Sequence, residues 1–554
     1  MPMILCSCNF DLSQRDVSQV LFKLKSPNQT NLIFYNKIVE TNELSVLGYN
    51  NMYMGGGISV GDINNDELPD IFLTANQESN KLFLNKGNFQ FEDITETSGI
   101  AGEVGNKSWS TGTTMVDINN DGFLDIYVCM IHGFKNLEGT NKLYINQGNN
   151  TFIESASKYG LDIKTYAHQA TFFDYDIDGD LDMFLLNQAM HTPNAYRPGQ
   201  IRETRDKMSG DLLFKNENGE FIDVSEEAGI YGGPNGYGLG LNISDFNNDG
   251  YPDIYVSNDF HENDYLYYNN QNGGFKEDIV GSIGHTSTFS MGNDAADVNN
   301  DGWMDIITLD MRPHEEEILK TSLSLENYDT YKFKLNYAYH YQYGRNMLQL
   351  NQGNLFDKNS VKFSEVGEFS GVSATDWSWG ALFADYDLDG NKDLIVTNGI
   401  PRRPNNLDFI NFEFDKQEKG KELSNLELIS LIPQGEVPNV AYRNNGLKFE
   451  DVSKEWGLDL NGTSNGIAYA DFDNDGDLDI VINNLNAPVA LYENQINKNK
   501  KKFLKVKFNG SPKNTLGIGN KVFIKTKKGK QFQELFPTRG WISSVEPVLI
   551  FGLD

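Results

Sequence analysis

The chain has 554 residues, 78 acidic against 46 basic, and a formal net charge of −32. That imbalance excludes a phosphate-tracking nucleic-acid surface and disfavours bare anionic lipid as a partner. The length allows several ordinary domains or one large repeat fold, and 52 glycines with 12% aromatic residues suit short strands and tight turns better than helices.

The N-terminus reads MPMILCSCNF. Leu5-Cys6-Ser7-Cys8 resembles the lipobox of bacterial lipoprotein signals, which makes Cys8 a candidate for lipidation. A charged n-region is missing and the apolar run is short, so a truncated signal and a chance match stand side by side. Three cysteines provide no disulfide framework, and Cys129, inside DIYVCMI, reads as a small buried hydrophobe. No stretch reaches the roughly 20 apolar residues that span a bilayer. Residues 1–30 are therefore read as leader and linker, followed by a strand-like run, NLIFYNKIVETNEL, at 31–44.

DINNDELPD comes next and sets oxygen-bearing side chains at positions 1, 3, 5 and 9: Asp62, Asn64, Asp66 and Asp70. The same nine-residue pattern returns with Asp117, Asn119, Asp121 and Asp125, then with Asp174, Asp176, Asp178 and Asp182. It continues with Asp245, Asn247, Asp249 and Asp253, and with Asp297, Asn299, Asp301 and Asp305. The last two copies carry Asp385, Asp387, Asp389 and Asp393, and Asp471, Asp473, Asp475 and Asp479. Position 6 is Gly in every copy but the first, which has Glu67.

Oxygens at alternate positions around a sharp turn wrap a hard cation, and calcium accepts many such ligands in flexible geometry. An EF-hand would need Glu at position 12, where these loops have Leu, Val, Thr or Ile, and a helix would follow. Here each loop runs straight into a strand-forming segment such as DIYV or DIVI, so it joins two strands. A metal-free Asn/Asp/Gly hairpin turn is a fair default for one copy and a poor one for seven. Up to seven structural calcium ions are expected, with the first site, bearing Glu67 and Pro69, the weakest or most irregular.

Five residues before each loop stands Gly57, Gly112, Gly240, Gly292, Gly380 or Gly466, with Gln169 breaking the series. After the loop strand come LFLNKGNFQFEDI, LYINQGNNTFIES and their counterparts. Each unit thus reads as four strands, and seven such antiparallel units make an all-β, seven-bladed propeller spanning 31–497. The G…DxDxDGxxDI…LY.N.G…F.DV pattern resembles the FG-GAP/VCBS repeats of integrin-α-like propellers. Residues 514–554 resemble the ASPIC/UnbV domain that follows such propellers in bacterial proteins and in the cartilage acidic protein family. A small partial β domain is expected over 498–554, since the chain stops soon after FGL.

The seventh unit lacks its last strand, so 31–44 is expected to complete it and hide the open sheet edges. First-Asp intervals of 55, 57, 71, 52, 88 and 86 residues locate three additions, near 187–211, 311–346 and 399–439. All three leave the blades on the face opposite the acidic loops. Eight residues before the loops that same face receives Trp109, Tyr166, Tyr237, Phe289 and Trp377, a ring on which a sugar or peptide could stack. The competing reading is inter-blade packing, since repeat-periodic aromatics are usually core. Six arginines in the additions, among them Arg202, Arg345 and Arg403, either select an anionic partner or form local salt bridges.

No nucleophile elbow, P-loop or zinc motif is evident in the chain, and the seven histidines are scattered. The expected function is a non-enzymatic, calcium-binding module for a glycan or protein partner at the cell surface, outside the cell or facing the periplasm, with membrane contact only through a lipid anchor. A carbohydrate-active enzyme using the long-loop face, or an architectural scaffold of an outer-membrane assembly, are the alternatives.

Overall fold

The computed structural model describes residues 20–553 apart from 103–104, 106, 192–196, 323–326, 355–360, 419–422 and 497–500. Cys6, and the lipidation expected at Cys8, lie outside the described residues.

Seven four-stranded antiparallel sheets stand in chain order as the blades of a β-propeller. Blade 2 is representative: Ser110–Val116, Asp125–Met130, Lys142–Asn146 and Phe152–Glu154 run outward from the central channel. Its first two strands are buried along their whole length, because neighbouring blades cover both faces. Its outermost strand buries only Phe152 and turns two residues to water, which is why that repeat segment reads as F followed by polar residues.

The ring closes through the N-terminus, by a different segment from the expected one. Phe22–Lys25 pairs antiparallel with Ala490–Asn494 and completes blade 7, with Phe22 opposite Asn494. Residues 31–39 alternate buried and exposed, as their pattern implies, yet 31–44 makes only isolated bridges from Tyr35 to Pro488 and from Asn36 to Leu485. Between the two runs a short helix, Pro27–Thr30, ends on Asn31 in the left-handed region (φ 59°) and turns the chain off the sheet edge. The propeller therefore takes in part of the segment read as leader and linker.

The C-terminal residues form two short strand pairs that lie against the propeller. Phe503–Val506 pairs with Leu549–Gly552, Lys521–Lys525 pairs with Lys530–Glu534, and both pairs lie on the acidic-loop face. Between them, residues 539–546 enter the central channel. Ser544 forms a parallel bridge with Ser59, the Thr113 amide donates to the Ile542 carbonyl at 3.2 Å, and the Glu546 amide donates to the Tyr469 carbonyl at 3.2 Å. Trp541 is fully buried, its ring 5.2 Å from Trp379 and 5.3 Å from His168, and its Nε1 donates to the Met54 carbonyl at 2.8 Å.

This insertion explains Gly57, the first glycine of the series, whereas Gly112, Gly240 and Gly292 are crowded first by atoms of the next blade. A Cβ on Gly57 would sit 1.8 Å from the Ile542 carbonyl oxygen, so only glycine lets the channel segment approach. Gln169, the exception in that series, uses its side chain instead and donates Nε2 to the Ser543 carbonyl at 3.3 Å.

The three additions carry the longer helices, Tyr328–Asn336 in the second and Leu407–Glu418 in the third. Residues 45–54 cover the channel mouth on their side, with Met52 and Tyr53 buried and the Tyr53 carbonyl accepting from Asn465 Nδ2.

Candidate metal centres and the opposite face

The seven acidic loops share one hydrogen-bond frame. At position 1, Oδ1 accepts the amide of position 5 and Oδ2 that of position 6, at 2.7–3.1 Å in every loop. At position 9, Oδ2 accepts the amide of position 2 and Oδ1 the amide of an asparagine in the third strand, at 2.7–3.2 Å. Position 4 is left-handed throughout, from Asn248 (φ 54°) to Asn120 (φ 62°). Glu67 takes up φ 70° and its amide still reaches Asp62 at 2.8 Å, so the first loop keeps the common shape rather than an irregular one.

That third-strand asparagine is a functional residue the sequence reading passed over. Asn85 Nδ2 donates to the Pro69 carbonyl in its own blade and to the Phe472 carbonyl of blade 7, across the ring closure. Asn146, Asn269, Asn351, Asn444 and Asn494 make the same reach to the preceding blade, onto Ile63, Tyr175, Phe246, Val298 and Tyr386. The signal was present as the N of every LY-N segment.

Electrostatics divide the loops. Burial pushes the position-9 carboxyl up in all seven, to about 7 at Asp125 and about 9 at Asp182, and the other loop carboxylates push it further. In the three all-Asp loops, oxygens of positions 1, 3 and 9 lie within 4.8 Å of one another: Asp174, Asp176 and Asp182; Asp385, Asp387 and Asp393; Asp471, Asp473 and Asp479. In the other four, the position-3 amide donates to the position-5 carboxylate at 2.8–3.0 Å, as Asn64 does to Asp66.

The all-Asp loops fit a hard cation. Asp176 Oδ1, Asp180 Oδ1 and both oxygens of Asp477 are buried without a hydrogen-bond donor, and a buried carboxylate oxygen lacking a donor needs a positive partner. Asp180 and Asp477 stand at position 7 and add a fifth carboxylate that the four-position motif did not include; the DGD triplet in both loops was the available sign.

The C-terminal segment supplies positive charge to the same face. Lys505 lies 3.0 Å from Asp471, Lys513 lies 2.9 Å from Asp180, and Lys521 pairs with Asp245 and Glu534. Thr515 donates to Asp117 at 2.6 Å and the Gly552 amide to Asp385 at 2.9 Å. Beneath it, a cavity of about 30 Å³, room for one water, is lined by Asp297, Asp385, Lys392 and Arg539 among others.

On the opposite face, Trp109 and Tyr237 are buried, while Tyr166, Phe289 and Trp377 are half-buried. Trp109 meets Tyr49 edge-on at 5.5 Å, and Tyr237 packs on Phe260 at 5.1 Å. Five of the six arginines of the additions have partners within the fold: Arg202 with Glu262 at 2.7 Å, Arg345 with Glu365 at 2.9 Å and Arg403 with Asp376 at 2.6 Å. Arg205 donates to the Asp211 and Ile230 carbonyls, and Arg402 to that of Ile432. The exposed aromatics are others, chiefly Tyr328 (71% exposed), Tyr341 and Tyr343 in the second addition and Phe414 (66%) in the third.

Comparison with known proteins agrees with this architecture. The FG-GAP-like repeat matches residues 62–128, 245–308 and 425–482, and ASPIC and UnbV matches 510–554. Cartilage acidic protein 1 of Xenopus tropicalis is 30% identical over 224 residues, 40% of this chain and 31% of that protein. The human protein of that name is 28% identical over 210 residues, 37% of this chain and 28% of its own length. The matched region thus spans less than a third of the curated relatives. An Agrocybe aegerita lectin specific for non-reducing terminal N-acetylglucosamine aligns over 79% of this chain and 94% of its own, at 14% identity and a TM-score of 0.36, too low to carry an argument. The chain thus carries FG-GAP-like repeats in a seven-bladed propeller followed by an ASPIC and UnbV segment, and it is homologous to cartilage acidic protein 1 over the matched region.

Proposed function

We propose that this protein is an exported binding module whose propeller is held together by calcium in the acidic loops and whose partner, a glycan or a surface protein, docks on the long-loop face. An FG-GAP propeller is compatible with such a role. One observation carries the choice of face: the channel is filled from both ends by the chain's own residues 539–546 and 45–54, while Tyr328, Tyr341, Tyr343 and Phe414 stand exposed on the additions. Exposed tyrosines give a large, stiff, amphipathic contact surface at low entropic cost, whereas an unused aromatic surface on a soluble face is a liability.

The chain's own loop residues would hold the ion. Asp174, Asp176 and Asp182, with their counterparts at 385 and 471, provide the hard oxygen ligands calcium prefers. Bound there, calcium supplies charge neutralisation and a fixed loop, with no part in bond-making. Extracellular calcium modules bind at roughly 10⁻⁴ to 10⁻³ M, which suits an exported chain. No described helix is long and apolar enough to cross a membrane.

Screening the purified chain against a glycan array and against surface-protein extracts, in calcium and in chelator, tests the reading. A ligand whose binding is lost in a folded Tyr328→Ala/Tyr341→Ala double variant supports it. Binding that ignores that variant, or turnover of a bound glycan, overturns it.

A further inference from the structure

Charge is distributed unevenly along this chain. Residues 498–554 hold 13 of its 46 basic residues and 3 of its 78 acidic ones. Some of those lysines engage the acidic loops: Lys505, Lys513 and Lys521 each reach an aspartate there. Four others gather in one place. Lys525, Lys527, Lys528 and Lys530 crowd the tip of the hairpin formed by Lys521–Lys525 and Lys530–Glu534, and all four are exposed. None has a carboxylate partner among the described residues, and Lys528 Nζ meets only the Asp389 carbonyl, at 3.5 Å.

The base of this hairpin favours pairing and its tip opposes it. Lys521 stands opposite Glu534 and pairs with it at 3.1 Å, and Phe523 stacks on its cross-strand partner Phe532 at 4.4 Å with the rings 15° from parallel. At the last rung Lys525 stands opposite Lys530, and like charges directly opposite in an antiparallel pair are destabilising. The turn adds Lys527 and Lys528, and it is fixed by the Thr526 amide donating to the Gly529 carbonyl at 2.8 Å and the Lys528 amide to Thr526 Oγ1 at 3.1 Å. Glutamate at position 530 would turn the clash into an ion pair like the one at the base. Four like charges held together without a partner attract an anion from outside. Beside them, two residues along the same face from Lys525, Phe523 is 64% exposed.

We propose that this lysine tip, with Phe523, is a docking surface for an anionic glycan, a linear chain bearing sulfate or carboxylate groups, on the face of the propeller opposite the long loops. Four lysines in six residues have the composition of a polyanion site, and two features choose among polyanions. The tip is one turn wide and overlies the acidic loops, so a flat anionic membrane or a nucleic-acid duplex would meet their aspartates as soon as it met the lysines. A single narrow chain meets the tip alone. Phe523 then gives a sugar ring an apolar face to pack against, beyond what charge provides. The site lies apart from the long-loop face and does not depend on a ligand there.

Fluorescence anisotropy of a labelled heparin oligosaccharide titrated with the whole purified chain, at two salt concentrations, tests it. The wild type should bind, more weakly at the higher salt. Lys527→Glu/Lys528→Glu, confined to an exposed turn, should weaken binding about tenfold or more. Lys530→Glu should weaken it too while slowing amide exchange in the hairpin about two- to fivefold, because an ion pair replaces the clash. Lysines with a purely structural role would not give that opposite pair of effects. Lys513→Gln, in the same segment but paired with Asp180, should bind as the wild type does. No binding by the wild type, undiminished binding by the turn variant, or an equal loss in Lys513→Gln overturns the proposal. So does tighter binding of polyglutamate or single-stranded DNA than of the sulfated chain, which would assign the tip to an acidic protein or a nucleic acid.

Discussion

Arg539 and Asp294 join the C-terminal segment to the propeller through a two-pronged ion pair, Nε to Oδ1 at 2.8 Å and Nη2 to Oδ2 at 2.5 Å. Asp294 lies on the channel-lining strand of blade 5, and the same guanidinium also donates to the Tyr469 hydroxyl and the Phe383 carbonyl in blades 7 and 6. One side chain near the C-terminus thus ties three blades together. Truncating it leaves a buried carboxylate without its partner, so Arg539→Ala should cost about 3–5 kcal/mol. Arg539→Lys, which keeps the charge but loses the fork, should recover only part of that. Urea unfolding of the two variants beside the wild type measures both.

The channel filling makes a second prediction at Gly57. Adding a methyl group there forces the Ile542 carbonyl away from a contact of 1.8 Å, so Gly57→Ala should destabilise by about 3 kcal/mol or more. Gly284→Ala, where nothing lies within 4 Å of the new carbon, is the matched control and should change stability by less than about 0.5 kcal/mol.

Much of this architecture was legible in the sequence because the repeat is read seven times. The acidic loops, the strand after each and the face of the additions follow from spacing, and the seven blades stand as the pattern implies. The closing strand was not legible. FKLK offers one fully buried side chain, Phe22, and two lysines, whereas NLIFYNKIV has the stronger alternation and spends it on packing without a ladder. Nor could the recurrent glycine reveal its reason, since the atom it makes room for comes from a residue nearly 500 positions away in the case of Gly57 and Ile542. The third-strand asparagine was visible as a letter, but its second bond goes to another blade, and no local pattern reports that.

That asparagine can be tested by comparing two blades. Asn85 bonds carbonyls in its own blade and in blade 7, while Asn216 of blade 3 bonds the Leu181 carbonyl at 3.1 Å within its own blade. Asn85→Ala leaves a buried Phe472 carbonyl without its donor and should cost about 2–3 kcal/mol, against about 1 kcal/mol for Asn216→Ala. Thermal melting ranks the two, and an equal loss would remove the cross-blade bond as the cause.

A pH-dependent gain is expected at Asp264, away from the acidic loops. Burial, reinforced by Asp310, pushes its carboxyl from 3.8 up to about 7, although it accepts the Asn258 amide and the Tyr255 hydroxyl. A carboxyl raised in the folded state contributes its full stability only below its unfolded pKa and loses it as pH rises through the folded one. At pH 8 the buried carboxylate is therefore a burden. Asn80, Asn141, Asn346 and Asn439 fill the equivalent place in four other blades, each accepting a backbone amide through Oδ1. Asp264→Asn should accordingly stabilise by roughly 1–2 kcal/mol at pH 8, with the gain shrinking toward zero near pH 5. Denaturant melts at the two pH values check the sign.

The central claim is that divalent ions in the acidic loops hold this anionic ring together, and the most direct test is thermal melting of one preparation after exhaustive chelation and again in millimolar calcium, with bound calcium counted by equilibrium dialysis. A saturable rise in melting temperature that tracks bound calcium and is reversed by EDTA is the expected result. No bound calcium at millimolar supply, with melting unchanged by EDTA, would contradict it.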